Sequence, residues 1–387
     1  MKIGNITKRG ERSFRVKIEI DRDPATGRRR YFVETIRGRP DEALRAVRER
    51  AKARLVELHD KMAKGQHVEP TGVTLQVYME SWLLAPVGIS PKTLERYRQL
   101  AEQQIYPHLG AVPLQKLGPA HVQDWHATLL VRGGAGGRPL GARTVGHAHR
   151  VLHRALARAL EGQLVFRNTA ALVKPPKVDD QEVAALKADQ IGDVLDKLRD
   201  HALYPIVVLA LGSGLRRGEL LALRWSDVDL DAASVRVERS LEETKAGLRF
   251  KAPKSRHGRR SVSLPATVVE TLRTHRRAQL ELRMALGLGK APDDALVFCQ
   301  PDGEPMSPDK LSRDWCRLVA GRKLPKVSFH ALRHSHVSAL IDGGLDVFSV
   351  SRRIGHGSAA LTLRTYTHLF TKRDGEAAAA IEAALTR

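Results

Sequence analysis

The segment ARTVGHAHRVLHRALARAL, residues 142–160, constrains the fold of this chain more than any other stretch. Val145, Ala148, Val151, Leu152, Ala155, Leu156 and Ala159 recur at the helical period and form one apolar stripe. Arg143, His147, Arg150, Arg154 and Arg158, spaced 4, 3, 4 and 4, fall on the opposite side, and no acid interrupts the row. A helix of this kind buries its stripe in a core. Ordinary solvated faces mix charge signs, so an all-basic row points to phosphate contact.

The helical pattern extends on both sides, from about Thr71 to Val173. SPKTLERYRQL opens with Ser90 as N-cap and Pro91 at the first helical position, and GPAHVQDWHATLL starts in the same way at Pro119. The Gly-rich RGGAGGRPLGAR contains no GxxxxGK[ST] and reads as a loop, not a nucleotide cradle. Upstream, residues 1–66 hold 19 Lys and Arg against 10 Asp and Glu. Phe14, Val16, Ile18 and Ile20 alternate with Arg15, Lys17 and Glu19; DPATG then turns the chain into RRRYFVETI, predicting a hairpin. Ala43, Val47, Ala51, Leu55 and Leu58 predict a helix backing it, and a three-stranded sheet plus helix is the expected unit. Its exposed Arg15, Lys17, Arg28 and Arg30 suit a ribbon entering a major groove. VKPPKVDDQEV, ending at Val183, reads as a linker over 174–183.

Charge narrows the function. Across 387 residues, 65 Lys and Arg against 43 Asp and Glu leave +22, a surplus that seeks a polyanion, with nucleic acid as the first candidate. Cys299 and Cys316 form no CxxC pair and no zinc spacing, which fits a reducing, cytoplasmic setting. The N-terminal stretch lacks an apolar h-region and the longest apolar run, PIVVLAL at 205–211, is too short to span a bilayer, so a soluble protein without membrane contact is expected.

The third unit, residues 184–387, reads as mostly helical with one small sheet built from SVRVERS, LRFKA and RRSVSLP. GSGLRRGELLALRW places Arg216 and Arg217 against an apolar run, so at least one guanidinium sits near the interior and requires an anion. KAPKSRHGRRSVSLP puts Lys254 at a turn between strands. FHALRHSHVSAL sets His330 and Arg333 on one helical face, and RRIGHGS adds His356. Tyr366 is the sole tyrosine after Tyr204.

Taken in order, Gly-Leu-Arg-x-Gly-Glu, Pro-Lys-Ser, His-x-x-Arg, Gly-His and Tyr-x-His resemble the catalytic signature of the tyrosine recombinases, in the phage integrase branch. The motifs span Leu186 to Phe370. By position the resemblance assigns catalytic roles to Arg216, Lys254, His330, Arg333, His356 and Tyr366. Ser213, Ala331 and Gly357 depart from the usual Thr, acid and Ser. The resemblance implies a multidomain, mainly α fold: an arm-type DNA-binding domain over 1–66, a helical SAM-like core-binding domain over 71–173, and a mixed α+β catalytic domain over 184–387. It also implies a homotetramer on two DNA duplexes exchanging strands through a Holliday junction, at core and arm sites, with a directionality factor or a DNA-bending host protein as further partners. The tail EAAAAIEAALTR is a short amphipathic helix that packs either on its own domain or on a neighbour.

The chemistry agrees. A free phenol titrates near ~10, so about one in a thousand is ionised at neutral pH, and attack on phosphorus needs cationic neighbours. Arg216 and Arg333 can each donate paired hydrogen bonds to the non-bridging oxygens, and His356 a further one. Lys254 is placed to protonate the departing 5′ oxygen, with Lys251 as its rival, and His330 to accept the phenol proton. The product is a 3′-phosphotyrosyl bond that conserves energy for rejoining, so no cofactor, ATP or metal is expected. Three alternatives remain open: a type IB topoisomerase-like nicking-closing enzyme, a non-catalytic basic DNA-binding regulator, and a metallohydrolase holding zinc at His330 and His334.

Overall fold

Alternation in Ser13–Arg22 drives Phe14, Val16 and Ile18 to one face of a sheet, where all three are buried. The computed structural model describes residues 4–22, 29–63, 72–85, 87–178, 184–253, 258–370 and 374–386. They divide into two units, Met1–Asp179 and Asp180–Arg387, and the boundary falls in the expected linker. The DPATG turn and residues 179–183 lie outside the described residues.

In the first unit β1 (Asn5–Gly10), β2 (Ser13–Arg22) and β3 (Arg29–Arg37) form an antiparallel sheet in the order β1-β2-β3. Helix α1 (Leu44–Ala63) closes its inner face with Val47, Ala51, Leu55 and Leu58. Ala43, expected on that stripe, precedes the helix and is exposed, because α1 begins one residue later. A separate core is built by α2 (Leu75–Leu84), α3 (Pro91–Leu100), α4 (Tyr106–Leu109), α5 (Pro119–Arg132) and α6 (Ala142–Glu161). Pro91 and Pro119 each open a helix as expected, although Ser90 Oγ pairs with Thr93 Oγ1 at 2.8 Å and caps no backbone N–H. All seven stripe residues of α6 are buried and its five basic residues are exposed. The core also holds two buried imidazoles, His126 Nε2 lying 3.1 Å from His149 Nδ1.

The second unit starts with α7 (Ala188–Leu198), α8 (Tyr204–Ser213) and α9 (Arg217–Leu221); α8 is apolar all round and accordingly buried. Five short strands follow: β4 (Val228–Asp229), β5 (Ser234–Val237), β6 (Ser240–Thr244), β7 (Gly247–Lys251) and β8 (Arg260–Ser263). They make two sheets, β4-β5-β8 and β6-β7, not the single sheet expected. SVRVERS is not one strand, since pairing to β8 ends at Val237 and pairing to β7 begins at Ser240. Strand β6 escapes a polarity reading because Glu242 is buried, its carboxylate taken by Lys251 and Arg249. Helices α10 (Ala266–Ala285), α11 (Pro308–Gly321), α12 (Ala331–Asp342), α13 (Val347–Ile354), α14 (Ala359–Phe370) and α15 (Asp374–Leu385) complete the unit. The expected tail helix is α15, with Ile381 and Leu385 exposed.

Both units bury neutral histidines. Burial, with His126 beside it, depresses His149 to about 4; burial likewise depresses His336 to about 4, against an ordinary 6.5. Between those values the unfolded chain binds more protons, so stability is lost as pH falls. Each group costs on the order of 2–3 kcal/mol by pH 4 and nothing above pH 7. The thermal unfolding midpoint is therefore expected to be flat above pH 7 and to drop steadily from 6.5 toward 4; a midpoint constant across that window, measured by calorimetry, contradicts it.

Candidate active site

The site forms around the end of α13. Gly355 adopts the left-handed conformation, φ 66°, and closes a Schellman-type turn: Gly355 N–H donates to Arg352 O at 3.1 Å and His356 N–H to Ser351 O at 3.0 Å. The carbonyls of residues 353, 354 and 355 then accept from three arginines. Arg260 Nε reaches Arg353 O at 2.8 Å, Arg333 NH2 reaches Ile354 O at 2.7 Å, and Arg216 NH2 reaches Gly355 O at 2.9 Å.

The anion that the sequence requires is Glu219, buried at 3% exposure. It accepts from Arg216 NH1 at 2.8 Å, from the Arg216 backbone N–H at 3.0 Å and from Arg260 NH2 at 2.9 Å. Burial pushes its carboxyl up, but Arg260 and Arg216 outweigh burial and hold it below its ordinary value. Arg217 turns elsewhere, donating to Pro308 O at 2.8 Å and Ser312 Oγ at 2.5 Å. Arg333 is 3% exposed and also donates to Gly214 O at 2.6 Å. Gly214 ends α8 with φ 66°, and a Cβ there would lie 2.5 Å from the His336 ring. Burial, with Arg216 nearby, lowers Arg333 to about 9, leaving it charged at neutral pH. Ser213, in place of Thr, still bonds Leu209 O and receives Leu215 N–H.

Tyr366 is buried among Val337, Ile341, Val350 and Ile354, where α14 departs from helical geometry, φ −123° and ψ 19°. Burial pushes its phenol up to about 12, opposed by the charge of Arg333. Its hydroxyl lies 2.5 Å from His334 Nδ1. That contact differs from the expectation for His330, which sits exposed at the N-cap of α12 with its ring edge-on to His334 at 5.0 Å. One helical turn carries His334 from the position of His330 to the face packed on α14. His356 Nδ1 pairs with the buried Thr362 Oγ1 at 2.8 Å, and burial holds the imidazole near 4.

Lys254 lies outside the described residues. Its rival Lys251 is engaged by Glu242. Among the described residues no cluster of three or more His, Cys, Asp or Glu is arranged to hold a metal. Sequence reasoning gave no role to Glu219 or Arg260 and weighed His334 only as a zinc ligand beside His330; the i,i+3 spacing of Arg216 and Glu219 was the one available signal for the ion pair.

Of the basic residues expected to meet DNA, Arg15 is half-buried and Lys17 Nζ sits 3.8 Å over the Tyr31 ring. Arg28, and the side chain of Arg30, lie outside the described residues. On α6, Arg143 and Arg154 are exposed, Arg150 donates to His147 Nδ1 at 2.9 Å, and Arg158 is paired with Glu161 at 2.7 Å. The accepting nitrogen of His147 is unprotonated, so the cationic row is shorter than its five positions.

Residues 179–373 match the phage integrase family, and residues 74–130 match the phage integrase N-terminal SAM-like domain. An integrase of Streptomyces ambofaciens is 30% identical over 82% of this chain and 81% of its own. A XerC-like tyrosine recombinase of Caldanaerobacter subterraneus is 24% identical over 95% of each chain. In fold, the chain is similar to the Tn1549 transposon integrase solved with a circular intermediate DNA (TM-score 0.65, 21% identity, 76% of this chain and 95% of that one). It is also similar to a lambda integrase dimer bound to a core site (TM-score 0.57, 19% identity, 93% and 94%). With the family model matched over half of the chain and Arg216, Arg333 and His356 brought together at the end of α13, the chain belongs to the phage integrase family and is a tyrosine recombinase.

Proposed function

We propose that this recombinase cuts and rejoins duplex DNA at specific sites through Tyr366, integrating or excising a mobile element. One observation carries the reading: Arg216 and Arg333 are anchored on adjacent carbonyls beside His356, in the subunit whose own Tyr366 lies within the field of Arg333. Each guanidinium keeps N–H groups beyond those anchors, suited to the non-bridging oxygens of one phosphodiester. In the tautomer this reading requires, Thr362 Oγ1 donates to His356 Nδ1, and the imidazole carries its proton on Nε2 and supplies a third donor.

In the forward step the Tyr366 oxygen bonds to phosphorus, the bond to the 5′ oxygen breaks, Lys254 protonates that oxygen, and the phenol proton passes to the histidines at the start of α12, with His330 as the assigned acceptor. Rejoining reverses each transfer, and the phosphotyrosyl ester stores the bond energy. Positive charge is delivered to phosphorus by side chains alone. The sheet at residues 1–66 is proposed as an arm-site domain, the helical unit at 71–173 as a core-site domain and 184–387 as the catalytic domain. The assembly is a cytoplasmic homotetramer on two duplexes, assisted by a directionality factor or a DNA-bending protein; the SAM-like match and the basic row of α6 support this arrangement.

On a nicked suicide duplex the wild-type chain is expected to accumulate a covalent adduct that Tyr366→Phe abolishes, and Arg216→Ala is expected to slow its formation by about 10²–10³. No adduct, or cleavage by Tyr366→Phe, contradicts the reading. Removing a phosphate contact at Arg143, Arg150 or Arg154 should shallow the log affinity against log salt slope by about 0.9 each. Arg158→Ala should change it least, because Glu161 already balances that charge; equal effects at all four positions, seen by titration, would remove α6 from the DNA face.

A further inference from the structure

We propose that His334 is the residue that holds and aims the Tyr366 hydroxyl for attack, through the hydrogen bond that the phenol donates to its Nδ1. This rests on Tyr366 being the nucleophile and adds a residue that the resemblance does not assign. Three observations carry it. The contact is made at the reacting atom itself, with the hydroxyl 2.5 Å from Nδ1. The ring that accepts is fixed: His334 stands half-buried on α12, edge-on to His330 at 5.0 Å, between Arg333 and Ser335, which are buried on the same helix. The phenol, by contrast, hangs on a residue whose backbone has left helical geometry. An oxygen carried on an irregular turn takes its direction from what it bonds to, and attack on phosphorus tolerates little misalignment.

The environment keeps both partners of the bond neutral. Burial, with His330 and Arg333 adjacent, keeps His334 near 4, while burial raises the phenol to about 12, so both groups are neutral and the phenolic oxygen keeps its proton; the imidazole proton is proposed to sit on Nε2, which leaves Nδ1 to accept. His334 thus orients a protonated nucleophile in the DNA-free chain. Arg333 touches both sides of this pair electrostatically, so the phosphate that it grips arrives beside the aimed oxygen.

Two substitutions separate orientation from bulk. His334→Phe keeps the ring volume and removes the acceptor; His334→Asn places an amide oxygen close to the position of Nδ1 but cannot carry the proton away. Covalent adduct formation on the suicide duplex, in single turnover, is expected to slow by about 10²-fold in His334→Phe, with DNA affinity unchanged, and to recover to within about tenfold of wild type in His334→Asn. A Phe variant cleaving within about threefold of wild type overturns the proposal, as does an Asn variant as slow as Phe. Should either variant unfold, nitrogen NMR of the full wild-type chain gives a second reading: the His334 Nδ1 resonance must shift in Tyr366→Phe, and an unmoved resonance overturns the bond. A wild-type chain that forms no adduct instead removes the nucleophile assignment, leaving the NMR result to judge the hydrogen bond alone.

Discussion

Three guanidiniums converge on the three successive carbonyls at the end of α13, and the rest of the site depends on that convergence. A helix leaves its last carbonyls without intrahelical partners and carries partial negative charge there, so it attracts donors and cations. Here the Schellman-type turn satisfies Ser351 and Arg352 with backbone N–H groups and presents the next three carbonyls outward. Arg216 arrives from the start of α9, Arg260 from β8 and Arg333 from α12. Pieces of chain more than a hundred residues apart are thereby fixed to one rigid backbone feature. The turn that gathers the arginines also delivers His356 as its next residue.

The charges in this knot are deliberately unequal. Glu219 serves Arg216 and Arg260 together, while the hydrogen bonds of Arg333 among the described residues go to backbone carbonyls. Burying Arg260 and Arg333, with the part-exposed Arg216 beside them, against one carboxylate is unfavourable unless dipoles and carbonyls make up the difference, which is the work done by the ends of α8 and α13. The remaining excess of positive charge is what a phosphodiester would complete. Stability and substrate affinity pull in opposite directions here, and the backbone contacts are what let the pocket exist before its anion arrives.

How much of this was legible depends on range. The α6 stripe, the β2 alternation and the proline-led helix starts are local patterns, and sequence periodicity exposes them directly. The apolar run around Arg216 and Arg217 also announced that at least one of the two needs an anion, without saying which. Glu219 as the shared partner of Arg260 was hidden, because 41 residues separate the two. The His334 and Tyr366 contact spans 32 residues and has no spacing rule behind it. Strand β6 was missed for a different reason: Glu242 and Glu243 look like solvent-facing residues, yet one is buried against Lys251 and the other accepts from Ser307 Oγ at 2.5 Å. Backbone carbonyls leave no mark on a sequence at all, save for the glycine at 355 that lets the turn form.

The same environment that builds the pocket keeps it quiet. Apolar packing from α12 and α13 surrounds the phenol and raises it to about 12, and the neighbouring imidazoles, His334 and His356, are held neutral near 4. At neutral pH on the order of one phenol in 10⁵ is then ionised, fewer than in water. Arg333 alone opposes this, and its charge is partly spent on two carbonyls. In the mechanism proposed for Tyr366, activation comes from what enters the pocket. A phosphodiester drawing Arg216 and Arg333 toward its own oxygens supplies an electrophile whose developing charge those arginines stabilise, so ionisation of the phenol becomes favourable only as the bond to phosphorus forms. Under that proposal a free phenolate is avoided in the absence of DNA, because Tyr366 and the two arginines would be brought into register by the phosphodiester they share.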